Sequence, residues 1–352
     1  MRKMKNLLVL VFVIPFVLMT ACKEEENVAP LVEILSHEEG DVIMEGALET
    51  IKAEADDEDG SITLVTLYIE GVEMASAEAS SCEYIWNTEG LDLGEYILSA
   101  YTIDDEEESH AVNIAVMLDD PGGLNPDLSY GTLTDIDGNT YGSIAIGEQI
   151  WMAENLKVTH YADGSAIPEV SDEVVWDGMS ALVDAYCWYD NQAVYGDTAG
   201  ALYTWAAAMN SAVSSDVIPS GVQGVCPDGW HLPGDAEWKN LEMYLGMSLA
   251  DADNHDWRGT DEGGQLKEIG FSTWEVPNVG AENSSGFTAV PGGFRNMKGK
   301  FYSYGEYAAF WTAREEEGTD KAWYRALTYD DDVVYRQYNY KNQGLSVRCV
   351  KD

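Results

Sequence analysis

The chain reads as multidomain, with an all-β sandwich followed by an α+β domain of different make. Three observations lead there. Residues 30–119 alternate apolar and polar side chains in short runs separated by turn residues, the period of half-buried strands. A breaker-rich run follows, Asp120-Pro121-Gly122-Gly123-Leu124-Asn125-Pro126-Asp127. Residues 130–352 then hold 10 of the 11 Trp and 16 of the 20 Tyr and contain stretches of helical spacing. Composition and period therefore both change at the same boundary. The expected division is a signal segment over 1–21, a tether over 22–29, the sandwich over 30–119, a linker over 120–129 and the second domain over 130–352.

The first segment is a signal of a particular kind. Arg2, Lys3 and Lys5 form a basic start, and Leu7 to Leu18 form an apolar run too short to span a bilayer. The run Leu18-Met19-Thr20-Ala21-Cys22 resembles a bacterial lipobox. That resemblance implies cleavage before Cys22, lipidation of its thiol and acylation of the new N-terminus. Each buried methylene adds about 0.8 kcal/mol, so two or more acyl chains make a stable anchor. Lys23-Glu24-Glu25-Glu26 resembles the Lys-acid-acid address that sends Bacteroidetes lipoproteins to the outer face of the outer membrane. No later apolar run has the length of a transmembrane helix. The expected placement is outer membrane, lipid-anchored and facing the exterior.

In the sandwich, the alternating sets are Ile51, Ala53, Ala55; Val65, Leu67, Ile69; Tyr84, Trp86; Tyr96, Leu98, Ala100; and Val112, Ile114, Val116. About seven such segments predict two packed sheets. Gly94-Glu95-Tyr96-Ile97-Leu98 looks like a tyrosine corner, with Leu98 where an antibody domain would carry its cysteine. The segment thus resembles bacterial immunoglobulin-like modules that lack the central disulfide, which leaves Cys82 a buried thiol.

The second domain opens with a hairpin signal, Leu133 to Tyr141, turning at Asp137-Gly138. Leu202, Trp205, Ala206 and Met209 predict one helix. Trp238, Leu241 and Leu245 predict another, capped at Gly234 or Asp235, favoured by Glu237 near its start and stopped by Gly246. The tail predicts strands over 322–329, 333–340 and 345–350, with turns at Asp330-Asp331-Asp332 and through Asn342 and Gly344.

Charge excludes some partners. The formal net charge is −44, and between Pro30 and Ser129 Lys52 is the only cation against 26 acidic residues. Such a field repels phosphate backbones and anionic headgroups, so nucleic acid is not a partner and membrane contact comes through the lipid.

Ordered motifs cover nearly all of 130–352. They include Gln149-Ile150-Trp151-Met152-Ala153-Glu154-Asn155-Leu156, Ala185-Tyr186-Cys187-Trp188-Tyr189, Cys226-Pro227-Asp228-Gly229-Trp230-His231-Leu232-Pro233, Pro291-Gly292-Gly293-Phe294-Arg295 and Gly344-Leu345-Ser346-Val347-Arg348-Cys349-Val350. Together they resemble the Fibrobacter succinogenes major paralogous domain, found in exported lipoproteins and adhesin-like surface proteins. A more distant likeness, Trp230-His231-Leu232-Pro233-Gly234-Asp235-Ala236-Glu237-Trp238 with Val347-Arg348-Cys349, is similar to formylglycine-generating enzymes, which implies a C-type-lectin-like fold. The same likeness puts Cys226 and Cys349 in core segments and suggests that they form a disulfide. Cys187 with either of them is the rival pairing.

The chemistry of the motifs points away from catalysis. No nucleophile elbow, P-loop, zinc helix or dinucleotide fingerprint occurs. Glu154 reads as a carboxylate serving local backbone and His231 as a packed histidine, so no catalytic residue is assigned. Formylglycine-type oxidation needs two reactive cysteines, and a Cys226–Cys349 bridge leaves Cys187 alone. No metal site is assigned. Asp56, Asp57, Glu58 and Asp59, and separately Asp135, Asp137 and Asn139, offer oxygens that could hold Ca²⁺, but both read better as solvated turns. Rings interspersed with planar polar groups do suit a sugar-binding face. The candidate ligand-binding residues are Trp188, Trp311, Trp323, Arg325, Arg336, Tyr338 and Tyr340, with the last three on one side of a strand. The expected function is a non-enzymatic surface lipoprotein with a glycan- or protein-binding, adhesin-like head on an immunoglobulin-like stalk. The alternatives are an enzyme distantly related to formylglycine-generating oxidases and a structural component of a surface assembly.

Overall fold

A computed structural model describes residues 28–119 and 122–352. Cys22 and Lys23 to Glu26 lie outside the described residues. Among the described residues two compact units emerge: one holds 28–41, Glu49–Trp86 and Tyr96–Val116, the other Val42–Leu48, Asn87–Glu95 and the described residues from Met117 to Asp352. Among the described residues no helix is long and apolar enough to cross a membrane.

The N-terminal strands are β1 (Leu31–Ile34), β2 (Val42–Met44), β3 (Leu48–Asp56), β4 (Ile62–Ile69), β5 (Val72–Ala77), β6 (Ser81–Asn87), β7 (Gly94–Asp104) and β8 (Ser109–Asp119). They form a three-stranded sheet, β1-β3-β6, and a five-stranded one, β2-β8-β7-β4-β5. The alternation has the expected cause: Ile51, Ala53, Val65, Leu67, Trp86, Leu98, Ala100 and Val116 are buried on one side of their strands, and most of their neighbours point the other way into less buried positions, Thr66 being a buried exception. Tyr96 opens β7 with its ring 5.3 Å from Trp86. Cys82 is a buried free thiol. Strands β1, β2 and β5 carry little apolar alternation and were not legible beforehand.

The C-terminal strands are β9 (Gly131–Thr134), β10 (Thr140–Ile146), β11 (Gln149–Met152), β12 (Tyr186–Cys187), β13 (Leu202–Tyr203), β14 (Trp230–His231), β15 (Asp256–Arg258), β16 (Phe294–Arg295), β17 (Phe301–Tyr302), β18 (Tyr307–Glu316), β19 (Lys321–Thr328), β20 (Val334–Tyr340) and β21 (Val350–Lys351). The helices are α1 (Glu173–Asp177), α2 (Tyr195–Ala199), α3 (Trp205–Met209), α4 (Asp235–Leu245), α5 (Leu249–Asp253) and α6 (Glu262–Leu266). The larger sheets run β14-β21-β11-β10-β9 and β15-β20-β19-β18. The second divides two cores. Ala309, Trp311, Ala322 and Tyr324 enter one, and Ala308, Phe310, Leu327 and Val334 enter the other. Burial on both faces is why β18 and β19 read as nearly continuous apolar runs.

Local signals held where they were chemically specific. β9 and β10 turn through Asp137-Gly138, with Gly138 at φ 84°. α4 begins after Gly234, whose N–H donates to Glu237 Oε2 at 2.9 Å, and ends at Gly246, φ 127°. α3 is shorter than its apolar spacing suggests. Thr204 caps it by accepting from Ala207 N at 3.3 Å, and Leu202 pairs with Cys187 in β13–β12 instead. The last expected strand is also corrected. Leu345 bridges Tyr203 and Ser346 bridges Phe310, and only Val350 and Lys351 form a strand, between β11 and β14. The linker is not free along its described part: Asn125 Nδ2 donates to Asn283 O at 3.0 Å, and Leu124 packs against Gly142.

A histidine latch closes the β14–β21 corner. His231 Nε2 lies 2.8 Å from Glu237 Oε1, and Nδ1 lies 2.8 Å from Asp352 Oδ1. Burial alone would lower the His231 pKa. The hydrogen bond and charge of Glu237, then those of Asp352, outweigh it and raise the pKa above 6.5. Since the folded value is the higher one, the latch stabilises fully below about pH 6.5 and is lost as pH rises through the folded value. Urea midpoints measured from about pH 6 to about pH 9 are expected to fall with pH, and His231→Gln is expected to flatten that slope. An unchanged slope in the variant would remove His231 as its source.

Candidate functional site

One face of the β19–β20 hairpin is a ladder of three cross-strand pairs. Arg325 faces Arg336, Trp323 faces Tyr338 and Lys321 faces Tyr340. The ladder is graded from interior to solvent. Arg325 and Arg336 are buried and turn inward onto α4. Arg325 Nη1 donates to Asp235 Oδ1 at 2.7 Å and Nε to Glu242 Oε1 at 2.6 Å, and Arg336 Nη2 donates to Asp235 Oδ2 at 2.8 Å. Burial alone would raise the Asp235 pKa, but the charges and hydrogen bonds of Arg325 and Arg336 hold the carboxyl far below the usual range.

The middle of the ladder is a cation–aromatic stack. The Trp323 ring has the Arg336 guanidinium 4.1 Å from its centroid and that of Arg314 at 5.1 Å. Tyr338 meets Trp323 edge-on at 5.3 Å and His255 lies 5.0 Å away. At the outer end Lys321 Nζ sits 5.1 Å from both the Tyr338 and Tyr340 rings.

The opposite face of β20 carries Tyr335, Gln337 and Asn339, as strand alternation requires. β15 forms the sheet edge beside it. Trp257 pairs with Tyr335, their rings 4.8 Å apart, and Gln337 Nε2 donates to Asp256 Oδ1 at 3.1 Å. Trp257 and Tyr340 are 42% and 41% exposed, so this edge shows rings to solvent on both sides of the sheet. Behind Tyr335, burial pushes the Tyr324 phenol up to about 12.

The expected site residues therefore divide. Trp323, Arg336, Tyr338 and Tyr340 come together, but Trp323 is a correction: it is buried beneath the Arg314 and Arg336 guanidinium groups and offers no face to a ligand. Trp311 and Arg325 are corrections: Trp311 is fully enclosed with Nε1 donating to Tyr203 O at 2.8 Å, and Arg325 is spent on the two carboxylates. Arg336 also faces inward and shows only its stack on Trp323. Trp188 lies elsewhere, against Tyr186 at 5.5 Å and over Gly196, where a Cβ would come within 2.6 Å of its ring. The sequence reading missed Trp257, His255, Lys321 and Gln337. The first two sit on or beside a three-residue strand that exists because of long-range pairing, which leaves no local period to detect.

The remaining candidates serve the fold. Glu154 Oε2 accepts from Gly142 N at 2.5 Å. Asp135 accepts from Asp137 N, Asn139 N, Asn139 Nδ2 and Tyr141 Oη, and its oxygens are committed to the hairpin turn. Asp59 accepts from Val28 N at 3.1 Å. Cys226 and Cys349 form a disulfide, and burial pushes the Cys187 thiol up to about 12, far from a thiolate at neutral pH. Among the described residues seven Lys and Arg side chains are interior: Arg258, Lys267, Arg295, Arg325, Arg336, Lys341 and Arg348. Lys267 Nζ donates to Val279 O, Thr328 O and Asp331 O, and Arg348 donates to Met152 O, Phe287 O and Thr288 O. Drawing these cations inside leaves the surface of this unit richer in carboxylates, although Lys298, Lys300 and Lys351 stay exposed.

Comparison with known proteins gives the following. A model of the Fibrobacter succinogenes major domain matches residues 144–351, and a model of a bacterial Ig domain matches residues 30–100. Among solved structures, the fibronectin(III)-like modules of Clostridium thermocellum CbhA are 23% identical over 26% of this chain and 47% of theirs, with a TM-score of 0.23. The PKD1 domain of Vibrio anguillarum Epp is 16% identical over 27% of this chain and 100% of its own, with a TM-score of 0.20. This chain thus spans under half the length of the first. No curated protein matches.

Proposed function

The chain belongs to the Fibrobacter succinogenes major domain family, with a bacterial Ig domain before it, and on that premise we propose a non-enzymatic cell-surface lipoprotein whose C-terminal head binds a glycan. The observation that carries the reading is the β15–β20 edge. It sets Trp257 and Tyr335 beside Gln337, Asn339 and Asp256 on one face, and Tyr338 and Tyr340 beside His255 on the other. Rings of this kind stack on the apolar faces of sugars, and carboxamides and carboxylates pair with hydroxyls. The acidic surface favours a neutral glycan over an anionic one. The C-type-lectin-like description of the head rests on Trp230 to Trp238 and Val347 to Cys349, and an experimental structure with a different chain path would overturn it. The anchor at Cys22 and the address at Lys23 to Glu26 complete the reading, with the Ig-like module as stalk.

A glycan array probed both with the purified chain and with cells that make it tests this. Both are expected to bind. Cys22→Ser is expected to abolish cell binding while the purified chain still binds. Trp257→Ala and Tyr338→Ala are each expected to weaken both by roughly tenfold, about 1.4 kcal/mol of lost ring contact. Purified chain that retains no glycan would defeat the reading.

A further inference from the structure

Two concavities of the C-terminal unit run into one another away from the β15–β20 edge. One, of about 420 Å³, is walled by Leu182, Trp205, Ala206, Met209, Ala212 and Val213. The other, of about 610 Å³, is walled by Asp216, Arg314, Glu315, Glu316 and Glu317. Val213, Ser214 and Glu315 line both, so the two make one groove, apolar at one end and acidic at the other.

The apolar end is built with unusual exposure. Leu182 is 81% and Val213 85% exposed, although large aliphatic side chains bordering a concavity bury readily when the fold allows. The turn after α3 creates the wall. Asn210 and Ser211 both adopt left-handed backbone, φ 45° and 63°, a conformation that costs energy for residues other than glycine. It carries the chain past Trp205 so that Ala212 and Val213 line the same concavity.

Charge then selects the occupant. The cations in the groove already have partners. Lys341 Nζ lies 2.6 Å from Glu315 Oε2 and 4.4 Å from the Trp205 ring, and Arg314 Nη1 lies 3.0 Å from Asp216 and 2.9 Å from Asp235. Glu316 and Glu317 add two further carboxylates at the rim of a chain whose net charge is −44. We propose that this groove docks a polypeptide that places one large apolar side chain beside Trp205 and Val213 and the basic residues after it along Glu315 to Glu317. Asp184, at the apolar end, adds a further carboxylate to the groove, so a basic segment is favoured and an anionic partner would be repelled. This docking is separate from glycan binding at the sheet edge.

Fluorescence polarisation on the full chain tests it with a labelled octapeptide holding one leucine followed by three lysines. Saturable binding is expected. Replacing the peptide's leucine by glycine, Val213→Asp in the protein, or Glu316→Lys with Glu317→Lys is each expected to weaken it by at least roughly tenfold. Glu33→Lys with Glu73→Lys, the same charge change at exposed positions of the Ig-like strands, is expected to leave it within about twofold. Absence of binding overturns the proposal. Equal binding of the leucine-free peptide, or equal weakening by the Glu33 and Glu73 pair, also overturns it, since either shows general attraction of a polycation to an acidic chain.

Discussion

Asp235→Ala is expected to cost the C-terminal unit about 3–5 kcal/mol, the scale for removing one partner of a buried ion pair. Asp235 is fully buried at the first turn of α4 and serves four cations. Its Oδ1 accepts from Arg325 Nη1 at 2.7 Å and Arg336 Nε at 2.9 Å. Its Oδ2 accepts from Arg336 Nη2 at 2.8 Å and Arg314 Nη1 at 2.9 Å, and Lys239 Nζ lies 3.3 Å away. Glu242, about two turns of helix further on, binds Arg325 Nε and Arg258 Nη2, each at 2.6 Å. Without Asp235, Arg336 keeps only the carbonyls of Asp253 and Asn254 and its stack on Trp323, and its charge stays buried. A domain has about 5–15 kcal/mol in total, so the loss takes a large share. Asp235→Asn preserves shape but not charge and is expected to fall nearly as far. The depressed Asp235 pKa contributes stability that is present above the unfolded carboxylate value of about 3.9 and lost as pH falls through the much lower folded value. Mild acid therefore leaves this network intact. Urea unfolding of the two variants checks the prediction, and an Asp235→Ala midpoint within about 1 kcal/mol of wild type would sink it.

That network also shows where sequence reading stops. Alternation correctly puts Arg336, Tyr338 and Tyr340 on one face of β20, but the same face is buried at Arg336 and 41% exposed at Tyr340. Period two gives the side of a sheet and not the depth along a strand. Depth here is set by α4, which covers one end of the ladder, and by its carboxylates, which draw the arginines in. The signals that proved legible were chemical and local: the Gly234 and Gly246 ends of α4, the Asp137-Gly138 turn and the alternation of β3, β4 and β7. Those that failed were long-range. Leu345 to Val350 reads as one more hairpin strand, yet Arg348 is drawn to the carbonyls of Met152, Phe287 and Thr288, and only Val350 and Lys351 pair as a strand. Burial pushes that guanidinium down to about 9, despite the opposing charges of Glu154 and Glu268. β15, which supplies Trp257 to the candidate site, is three residues long and exists only because β20 lies beside it.

Reduction of the Cys226–Cys349 bridge is expected to cost up to about 4–5 kcal/mol on the chain-entropy account, because a loop of this length is costly to close. The two residues are 123 apart in sequence, fully buried, with Cα atoms 6.0 Å apart. The bridge fastens the segment before β14 to the one residue that separates Arg348 from β21, so it backs up the carbonyl bonds of Arg348 and the His231 latch at the same corner. Opening it frees the tail in the unfolded state while leaving those native contacts in place, so the loss is expected in stability and not in the folded shape. Cys226→Ser with Cys349→Ser, measured by urea unfolding, should match wild type unfolded in the presence of reductant. The buried thiols Cys82 and Cys187 supply the internal control. Alkylation in denaturant without reductant should label both of them and leave Cys226 and Cys349 unmodified. Labelling of Cys226, or a double variant within about 1 kcal/mol of wild type, would show that the carbonyl bonds of Arg348 hold the tail without help from the bridge.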